Sequence, residues 1–430
     1  MIERQGKEMQ VQEKKNATPT ISALLKNRFV QIILLSELFL QIGIWVRNFA
    51  ILLFVMEKTN GDAFAISMIS VAEFAPIFIF SFIGGTFADR WRPKRTMIWC
   101  DFLSALSIFA VLLTLMFGSW KAVFLATLVS AILSQFSQPS GMKLFKLHVP
   151  EALIQMGMSI YQTIFAVFMI LGPVLGTFVY QHFGIEMAIG IMGIAFLLSA
   201  LVLLFLPEDR VLEEDKAPSS VWQEMKDGIR YVMSKRVLTL LGGCFLTVGL
   251  ALGLIQPLGI FLVTEHLGLA KEQLQWLMMA NGLGMILGGG IAMAFSKNVP
   301  PQRLLMMGVF FNAVGIALCG LSTVLWLTLL IEFLAGLVLP MIHIGINTLI
   351  LQHTETEFVG RVNGILSPLF TGAMVVTMSV AGSFKNLLSV VWMFEISAFV
   401  MFLGALIILP MYRMPGNQTL EGSSSTEAHQ

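Results

Sequence analysis

Twelve long apolar runs, separated by short polar segments, divide this chain. The runs lie near residues 28–56, 65–88, 96–117, 122–145, 152–180, 186–206, 237–264, 273–295, 302–320, 324–352, 361–384 and 388–412. The runs have 19 to 29 residues, enough for an α-helix to cross a bilayer core about 30 Å thick, which takes about 20. The longest polar interruption, 207–236, leaves six runs on either side. The pattern predicts an all-α membrane protein with twelve transmembrane helices in two six-helix bundles, 28–206 and 237–412.

The composition excludes a water-soluble protein. Hydrophobic residues make up 56% of the 430 positions, charged residues only 12%, and the mean hydropathy is +0.81. Soluble domains carry about 25% charged residues. Cys100, Cys244 and Cys319 all fall inside apolar runs, which argues against a secreted disulfide scaffold. The net charge of +1 argues against nucleic acid as a partner, and the surroundings that fit the composition are a lipid bilayer.

The ends and loops of the chain predict its orientation. Residues 1–27 form a polar tail without the apolar region of a signal peptide, and residues 413–430 form a Gly-, Ser- and Thr-rich tail expected to be disordered. With the N-terminus inside, 22 of the 27 Lys and Arg residues lie on its side of the membrane, four lie on the other side, and Arg47 lies within a span. Cytoplasmic loops are enriched in these residues. We therefore expect both termini and the linker 207–236 to be cytoplasmic, with the chain in the plasma membrane of a bacterium.

The two halves of the chain resemble each other at a nearly constant spacing. KLHVPEA (146–152) and LQHTETE (351–357) each precede an apolar run, and Gly176-Thr-Phe178 is matched by Gly382-Ser-Phe384. Because each half has an even number of spans, such a repeat runs parallel, about an axis along the membrane normal. Transporters built this way hold substrate near the midplane between the halves. The alternative is a chance likeness between Gly-rich apolar segments.

A charged loop, GGTFADRWRPKR (84–95), joins the second and third spans. An ordinary cytoplasmic loop explains its later basic residues, but not Asp89 next to Arg90 directly after two glycines. The loop resembles the signature of the major facilitator superfamily, G-x-L-A-D-R-x-G-R-K. Gly85, Ala88, Asp89 and Arg90 match, with Phe87 in the place of Leu, whereas Arg92 and Pro93 stand where Gly and Arg are usual. The chain is most similar to the branch that contains macrolide efflux proteins and the enterobactin exporter, which shares Asp101 and the segment FVGRVNG (358–364).

This resemblance implies the major facilitator fold and a cytoplasmic gate in the loop. In the superfamily the loop aspartate caps the positive end of the eleventh helix, which for Asp89 means the region of Gly360 and Arg361, a contact worth about 0.3–1 kcal/mol. Asp101 is expected to pair with Arg90 or Arg95. The predicted gate residues are Gly85, Asp89, Arg90, Lys94, Arg95, Asp101 and Arg361.

The fifth span contains ILGPVLG (170–176). It resembles part of the antiporter motif of the superfamily, G-x-x-x-G-P-x-x-G-G, in Gly172, Pro173 and Gly176, and departs from it at Phe168 and Thr177. Small residues let helices approach closely, and a proline bends a helix. The motif therefore indicates either export or a packing kink without directional meaning.

Ionisable and polar side chains inside the spans are costly in lipid and are candidates for function. On the first span, the helical spacing of Glu37, Gln41 and Asn48 places them within about 40° of one another, so we expect one polar stripe facing a central cavity. Arg47 on this span and Glu73 on the second lie at a matching depth of roughly 13 Å, which predicts an ion pair. The pair could take part in coupling or could be purely structural.

The tenth span carries a second set of candidates, Glu332, His343 and Asn347. Protonation of Glu332 or His343 could couple to transport, although His343 could also simply form a local hydrogen bond. Glu395 in the twelfth span is expected to be peripheral. The predicted residues for substrate binding or proton coupling are Glu37, Gln41, Arg47, Asn48, Glu73, Glu332, His343 and Asn347.

Several chemistries lack their motifs in this sequence. It contains no P-loop, no C-x-x-C or H-E-x-x-H motif and no nucleophile elbow. We therefore expect no ATP-driven step, no enzyme activity, no metal and no cofactor. The sequence predicts a monomeric secondary transporter that exports a hydrophobic or amphipathic small molecule (drug, macrolide-like or siderophore-like) in exchange for protons by alternating access. The alternatives are an importer of a small polar nutrient and a non-transporting polytopic protein, such as a lipid enzyme or a sensor.

Overall fold

Long helices account for all the apolar runs of the chain. The computed structural model describes residues 27–149, 151–207, 221–296, 299–355 and 358–413, with side chains except at 81–90, 146, 151–152, 154–155, 158–159, 221–222, 224, 296 and 412–413. The helices are α1 (Arg28–Lys58), α2 (Ala63–Arg90), α3 (Pro93–Met116), α4 (Val123–His148), α5 (Glu151–Leu203), α6 (Val221–Ser234), α7 (Arg236–Ile255), α8 (Leu274–Ser296), α9 (Pro301–Leu321), α10 (Leu325–His353), α11 (Val359–Leu387) and α12 (Val390–Ile408). Throughout these described ranges no residue lies in a β-strand. The predicted all-α fold is confirmed.

Helix α5 crosses the membrane twice. Its apolar part, Ile160–Leu203, has 44 residues, which at 1.5 Å per residue is about 66 Å, twice the thickness of a bilayer core. At Gly184 the backbone has φ 75° and ψ −177°, a conformation that only glycine adopts readily, and the helix is broken there. The eleven apolar helices found among the described residues therefore make twelve crossings, because α5 has a first arm before Gly184 and a second arm after it.

The helix starts follow from the local sequence. The side chain of Asn27 accepts a hydrogen bond from the backbone N–H of Phe29 and so caps α1. Helices α3 and α9 both begin at a proline, Pro93 and Pro301, whose missing N–H is not needed in the first turn. These two starts occupy corresponding positions in the two halves of the sequence.

The contacts divide the chain into two compact units, residues 1–61 with 72–217 and residues 62–71 with 218–430. In the first unit α1 packs along α5, and α3 packs on α4 and α5. In the second unit α7 packs on α11 and α12, and α9 packs on α10 and α12. Because α5 contains the fifth and sixth crossings, the two units repeat the same helix pairings. The pairings agree with the internal repeat expected from the sequence.

Glycines set the closest helix contacts in both units. A Cβ atom on Gly172 would lie 2.4 Å from the ring of Trp45, and one on Gly176 would lie 2.7 Å from the backbone oxygen of Trp45. In the second unit, a Cβ on Gly253 would lie 2.3 Å from the backbone oxygen of Met374. The close contact predicted for the Gly172-Pro173-Gly176 motif is therefore present, between the first arm of α5 and α1. Its meaning for transport direction stays a prediction.

The linker contains a helix that the sequence reading did not anticipate. Helix α6 ends beside the start of α11, where the ring of Tyr231 stacks on Phe358 with centroids 4.3 Å apart. The backbone N–H of Glu355 donates to the Tyr231 hydroxyl over 3.1 Å. The end of the linker is thus fastened to the second unit by aromatic and hydrogen-bond contacts.

Replacement of Gly176 by alanine is expected to destabilise the protein. The added Cβ would meet Phe49 Cβ at 2.6 Å and backbone at 2.7 Å, and overpacking of this kind costs about 1–3 kcal/mol. Thermal unfolding of the purified protein should show a melting temperature lower by several degrees. Gly190→Ala is the matched control, because no described atom lies within 4 Å of its added Cβ and alanine favours helix. Equal melting temperatures for the two variants would contradict this account of the contact.

Candidate functional site

A charged cluster joins α1 to α2 in the first unit. Arg47 Nη2 lies 3.8 Å from Glu73 Oε1, and the Arg47 side chain is only 4% exposed. Asn48 connects the pair, since Arg47 Nε donates to Asn48 Oδ1 over 2.9 Å and Asn48 Nδ2 donates to Glu73 Oε1 over 3.0 Å. The ion pair predicted from the matching depths is present, with an amide bridging it. Its role in transport stays a prediction.

A second polar cluster surrounds Glu37, also in the first unit. Gln41 Nε2 donates to Glu37 Oε1 over 2.7 Å, as expected for residues one turn apart on a helix. Glu37 also forms a hydrogen bond with Tyr161 of α5, and Tyr161 forms one with Gln138 of α4. The expected stripe is therefore split between two clusters, because Asn48 belongs to the charged cluster above. Tyr161 and Gln138 were missed, although each is a polar residue in an apolar span.

Asp101 is buried in the interior of the first unit, and its role in a gate stays a prediction. Its carboxylate accepts a hydrogen bond from Ser199 Oγ over 2.6 Å and another from Ser137. The Ser199 hydroxyl is also 2.8 Å from that of Ser36. The expected pairing with Arg95 is wrong: six positions apart on a helix place two side chains about 120° from each other, and Arg95 is exposed. The alternative pairing with Arg90 concerns a side chain outside the described set.

The other predicted gate residues divide into two groups. Gly85, Asp89 and Arg90 lie outside the described side chains, so their roles stay predictions. Lys94 donates to the backbone oxygen of Leu206, just beyond the second arm of α5, where a cation interacts favourably with the carbonyl end of a helix. The guanidinium of Arg361 lies 4.9 Å from the centre of the Phe358 ring. Lys94 and Arg361 thus have local contacts that the sequence did not predict.

Glu332 joins three helices of the second unit. Its Oε2 accepts from Asn281 Nδ2 of α8 over 3.0 Å, and its Oε1 accepts from the Cys319 thiol of α9 over 3.5 Å. Both partners were missed, because nothing in the sequence of α10 shows which residues of α8 and α9 face it. Glu332 is therefore a carboxyl group that two uncharged donors hold in apolar surroundings.

The remaining predicted residues of α10 do not join Glu332. His343 and Asn347 are exposed, and the structure gives neither of them a hydrogen bond to another described residue. The local hydrogen bond offered as the alternative role for His343 is therefore not found among the described side chains. The functional roles of His343 and Asn347 stay predictions, and Glu332 is the one predicted residue of α10 for which the described side chains show cross-helix contacts.

Glu395 on α12 is less peripheral than the sequence suggested. The residue is half-buried, and its Oε1 lies against Gly320 of α9. This oxygen is buried and has no hydrogen-bond partner within the described part of the chain. The acid end of the side chain therefore faces a neighbouring helix.

The described side chains contain no group of three or more His, Cys, Asp or Glu residues that could hold a metal ion. Cys100, Cys244 and Cys319 are buried free thiols. The polar clusters of the two units are therefore built from carboxyl, amide, hydroxyl, phenol and thiol groups and one guanidinium. Such groups can bind a polar part of a small molecule or exchange a proton.

Comparison with known proteins identifies the family. The family model of the Major Facilitator Superfamily matches residues 33–264 and 241–428. An MFS-type transporter of Bacillus subtilis, YkuC, is 25% identical over 83% of this chain and 85% of its own length. The multidrug efflux pump Tap of Mycolicibacterium fortuitum is 28% identical over 75% of this chain and 81% of its own length. Macrolide efflux protein A of Streptococcus pyogenes is 22% identical over 85% of this chain and 91% of its own length.

Solved structures show the same fold. A crystal structure of the nucleoside transporter NupG aligns with a TM-score of 0.74 at 14% identity, over 90% of this chain and 100% of that one. A POT family transporter aligns with a TM-score of 0.71 at 14% identity, over 89% of this chain and 96% of that one. At this identity the likeness concerns the fold alone. The family model matches most of this chain, and the chain therefore is a multi-pass membrane transporter of the Major Facilitator Superfamily.

Proposed function

We propose that this transporter exports hydrophobic or amphipathic small molecules in exchange for protons. It works as a monomer by alternating access, with both termini in the cytoplasm. Two of its relatives are named for the efflux of drugs or macrolides, which supports export and the substrate class. The observation that carries the proton coupling is Glu332, a carboxyl group inside the apolar helices whose two oxygens are held by uncharged donors.

Protonation of Glu332 would change the contacts among three helices. The Asn281 amide and the Cys319 thiol both donate to the carboxylate. A proton on either oxygen adds a donor there and makes that oxygen a weaker acceptor, so the hydrogen bond it receives is weakened or rearranged. The contacts of α8 and α9 with α10 therefore differ in energy between the two protonation states. A transporter needs such a difference, because a proton can shift a conformational equilibrium only through its differential affinity for the two states.

The Arg47–Glu73 pair serves a different purpose in this proposal. Arg47 carries a permanent charge, is buried, and is connected to Glu73 directly and through Asn48. Because a guanidinium does not lose its proton in proteins, its attraction to a carboxylate is a constant contact between two helices. We propose that the pair holds α1 against α2, while Glu332 and Glu37 exchange protons.

Glu332→Gln is expected to abolish coupling without abolishing substrate binding. In inside-out membrane vesicles energised by an imposed proton gradient, the wild-type protein should accumulate lipophilic cations or macrolides. The variant should lose at least about tenfold of this accumulation, because its amide cannot release a proton, and should still exchange labelled for unlabelled substrate without a gradient. Glu186→Gln is the matched control, since Glu186 is exposed. If the wild-type protein accumulates the same amount of substrate with and without the proton gradient, the proposal of proton antiport is contradicted.

A pair of variants tests the role of Arg47 and Glu73. Glu73→Gln should leave a buried guanidinium without its counter-charge and lower the free energy of unfolding by about 3 kcal/mol. The double variant Arg47→Gln with Glu73→Gln should recover much of that loss and keep gradient-driven transport. Thermal unfolding and vesicle accumulation measure the two effects. A double variant that folds normally but has lost its dependence on the gradient would instead make the pair part of the coupling.

A further inference from the structure

Four helices of the first unit place side-chain oxygens around one buried carboxyl group. Asp101 of α3 is 3% exposed and accepts hydrogen bonds from a hydroxyl of α4 and one of the second arm of α5, and a hydroxyl of α1 bonds to the latter in turn. These are the hydroxyls of Ser36, Ser137 and Ser199, which are 1%, 8% and 0% exposed. We call these four residues the Asp101 cluster.

The charge of Asp101 has no counter-ion among the described side chains. The ion pairs found there join other residues, such as Arg47 with Glu73 and Lys385 with Glu265. Taking a carboxylate out of water is costly, and hydroxyl donors offset only part of the cost. A proton is the simplest cation that can neutralise Asp101, and it needs no cavity.

The hydroxyl shell suits both protonation states of the acid. A serine hydroxyl can donate to a carboxylate or accept from a carboxylic acid by rotating its hydrogen. The bond between Ser36 and Ser199 can run in either direction, because either oxygen can be the donor. Protonation therefore needs no helix movement within the cluster. The amide nitrogen that faces Glu332 and the guanidinium that faces Glu73 can only donate, so those sites lack this reversibility.

We propose that Asp101 binds and releases a proton during the transport cycle, with Ser36, Ser137 and Ser199 as its reversible hydrogen-bonding shell. The inference rests on the proposed function, since it adds a proton site to a proton-coupled transporter. The step forms one O–H bond at an Asp101 oxygen with a proton from water, and that bond breaks when the proton returns to water. The gate role expected for Asp101 from the sequence is a separate prediction.

A second acid lies beside the cluster. Glu37 follows Ser36 on α1, and the charges of Glu37 and Asp101 are close enough to repel each other. The other titratable groups that face Asp101 are Cys100 on its own helix and Tyr161, which reaches it through Glu37. None of these is basic. Because two nearby carboxylates resist being ionised together, the two acids titrate as a pair, and Glu37, which is half-buried, is the more accessible member.

Infrared difference spectroscopy on the purified full-length protein in liposomes tests the proton site directly. A pH titration should show the carbonyl band of a protonated carboxylic acid appearing and disappearing. Asp101→Asn should remove that component, whereas Asp227→Asn on the linker helix should leave it unchanged. Ser199→Ala keeps the acid but removes a donor to its ionised form, so the midpoint of the band should move to higher pH by about one unit. An unchanged spectrum in Asp101→Asn would overturn the proposal.

Transport measurements separate this inference from the proposed function. In inside-out vesicles, Asp101→Asn should reduce gradient-driven accumulation of a lipophilic cation at least about tenfold and leave gradient-free exchange within about twofold. If the wild type itself ignores the proton gradient, the proposed function fails. If the wild type responds and folded Asp101→Asn responds equally, only the role of Asp101 fails. Should Asp101→Asn not fold, Ser199→Ala decides: an unshifted pH profile of transport would overturn the inference.

Discussion

Hydrocarbon gives a polar group no water to bond with, so the stability of a buried acid in this protein depends on partners within the chain. Four acids inside the helices have such partners, and each acid has a different set. Glu73 has a guanidinium and an amide, Glu332 an amide and a thiol, Glu37 an amide and a phenol, and Asp101 a set of hydroxyls. The choice of partner decides whether a charge is fixed or exchangeable. In this proposal a permanent cation opposes protonation of the acid beside it, whereas uncharged partners leave an acid free to gain or lose a proton.

The same constraint explains how the helices are packed. Lipid tails are as apolar as the helices, so close association depends on surface fit and on polar contacts between helices. Glycines provide the fit at the contacts of α1 with α5 and of α7 with α11. The acids provide the polar contacts between helices: Asp101 is hydrogen-bonded to two other helices, and so is Glu332. A change of protonation at Glu332 therefore acts on helix packing directly, without an additional element to transmit it.

The sequence predicted the fold more completely than the site. Length and apolarity identify each crossing, including the two that share α5, and Gly184 marks their boundary. Contacts within one helix also follow from spacing, as for Glu37 and Gln41, and equal depth sufficed for Arg47 and Glu73. Partners on other helices, such as Ser199 and Asn281, depend on how each helix is rotated about its axis. The sequence does not reveal this rotation when a helix is apolar on all its faces. For Asp101, nearness along the chain to Arg95 did not give nearness in space, because the two side chains point in different directions from the same helix.

The central claim is that carboxyl groups inside the helices give up protons when substrate is handled. The most direct measurement is the pH change of a weakly buffered solution of the purified protein on addition of a macrolide or a lipophilic cation. The account predicts that substrate binding releases protons, with a yield that falls at high pH, where the acids are already ionised. Saturable binding with no proton released or taken up at any pH would contradict it.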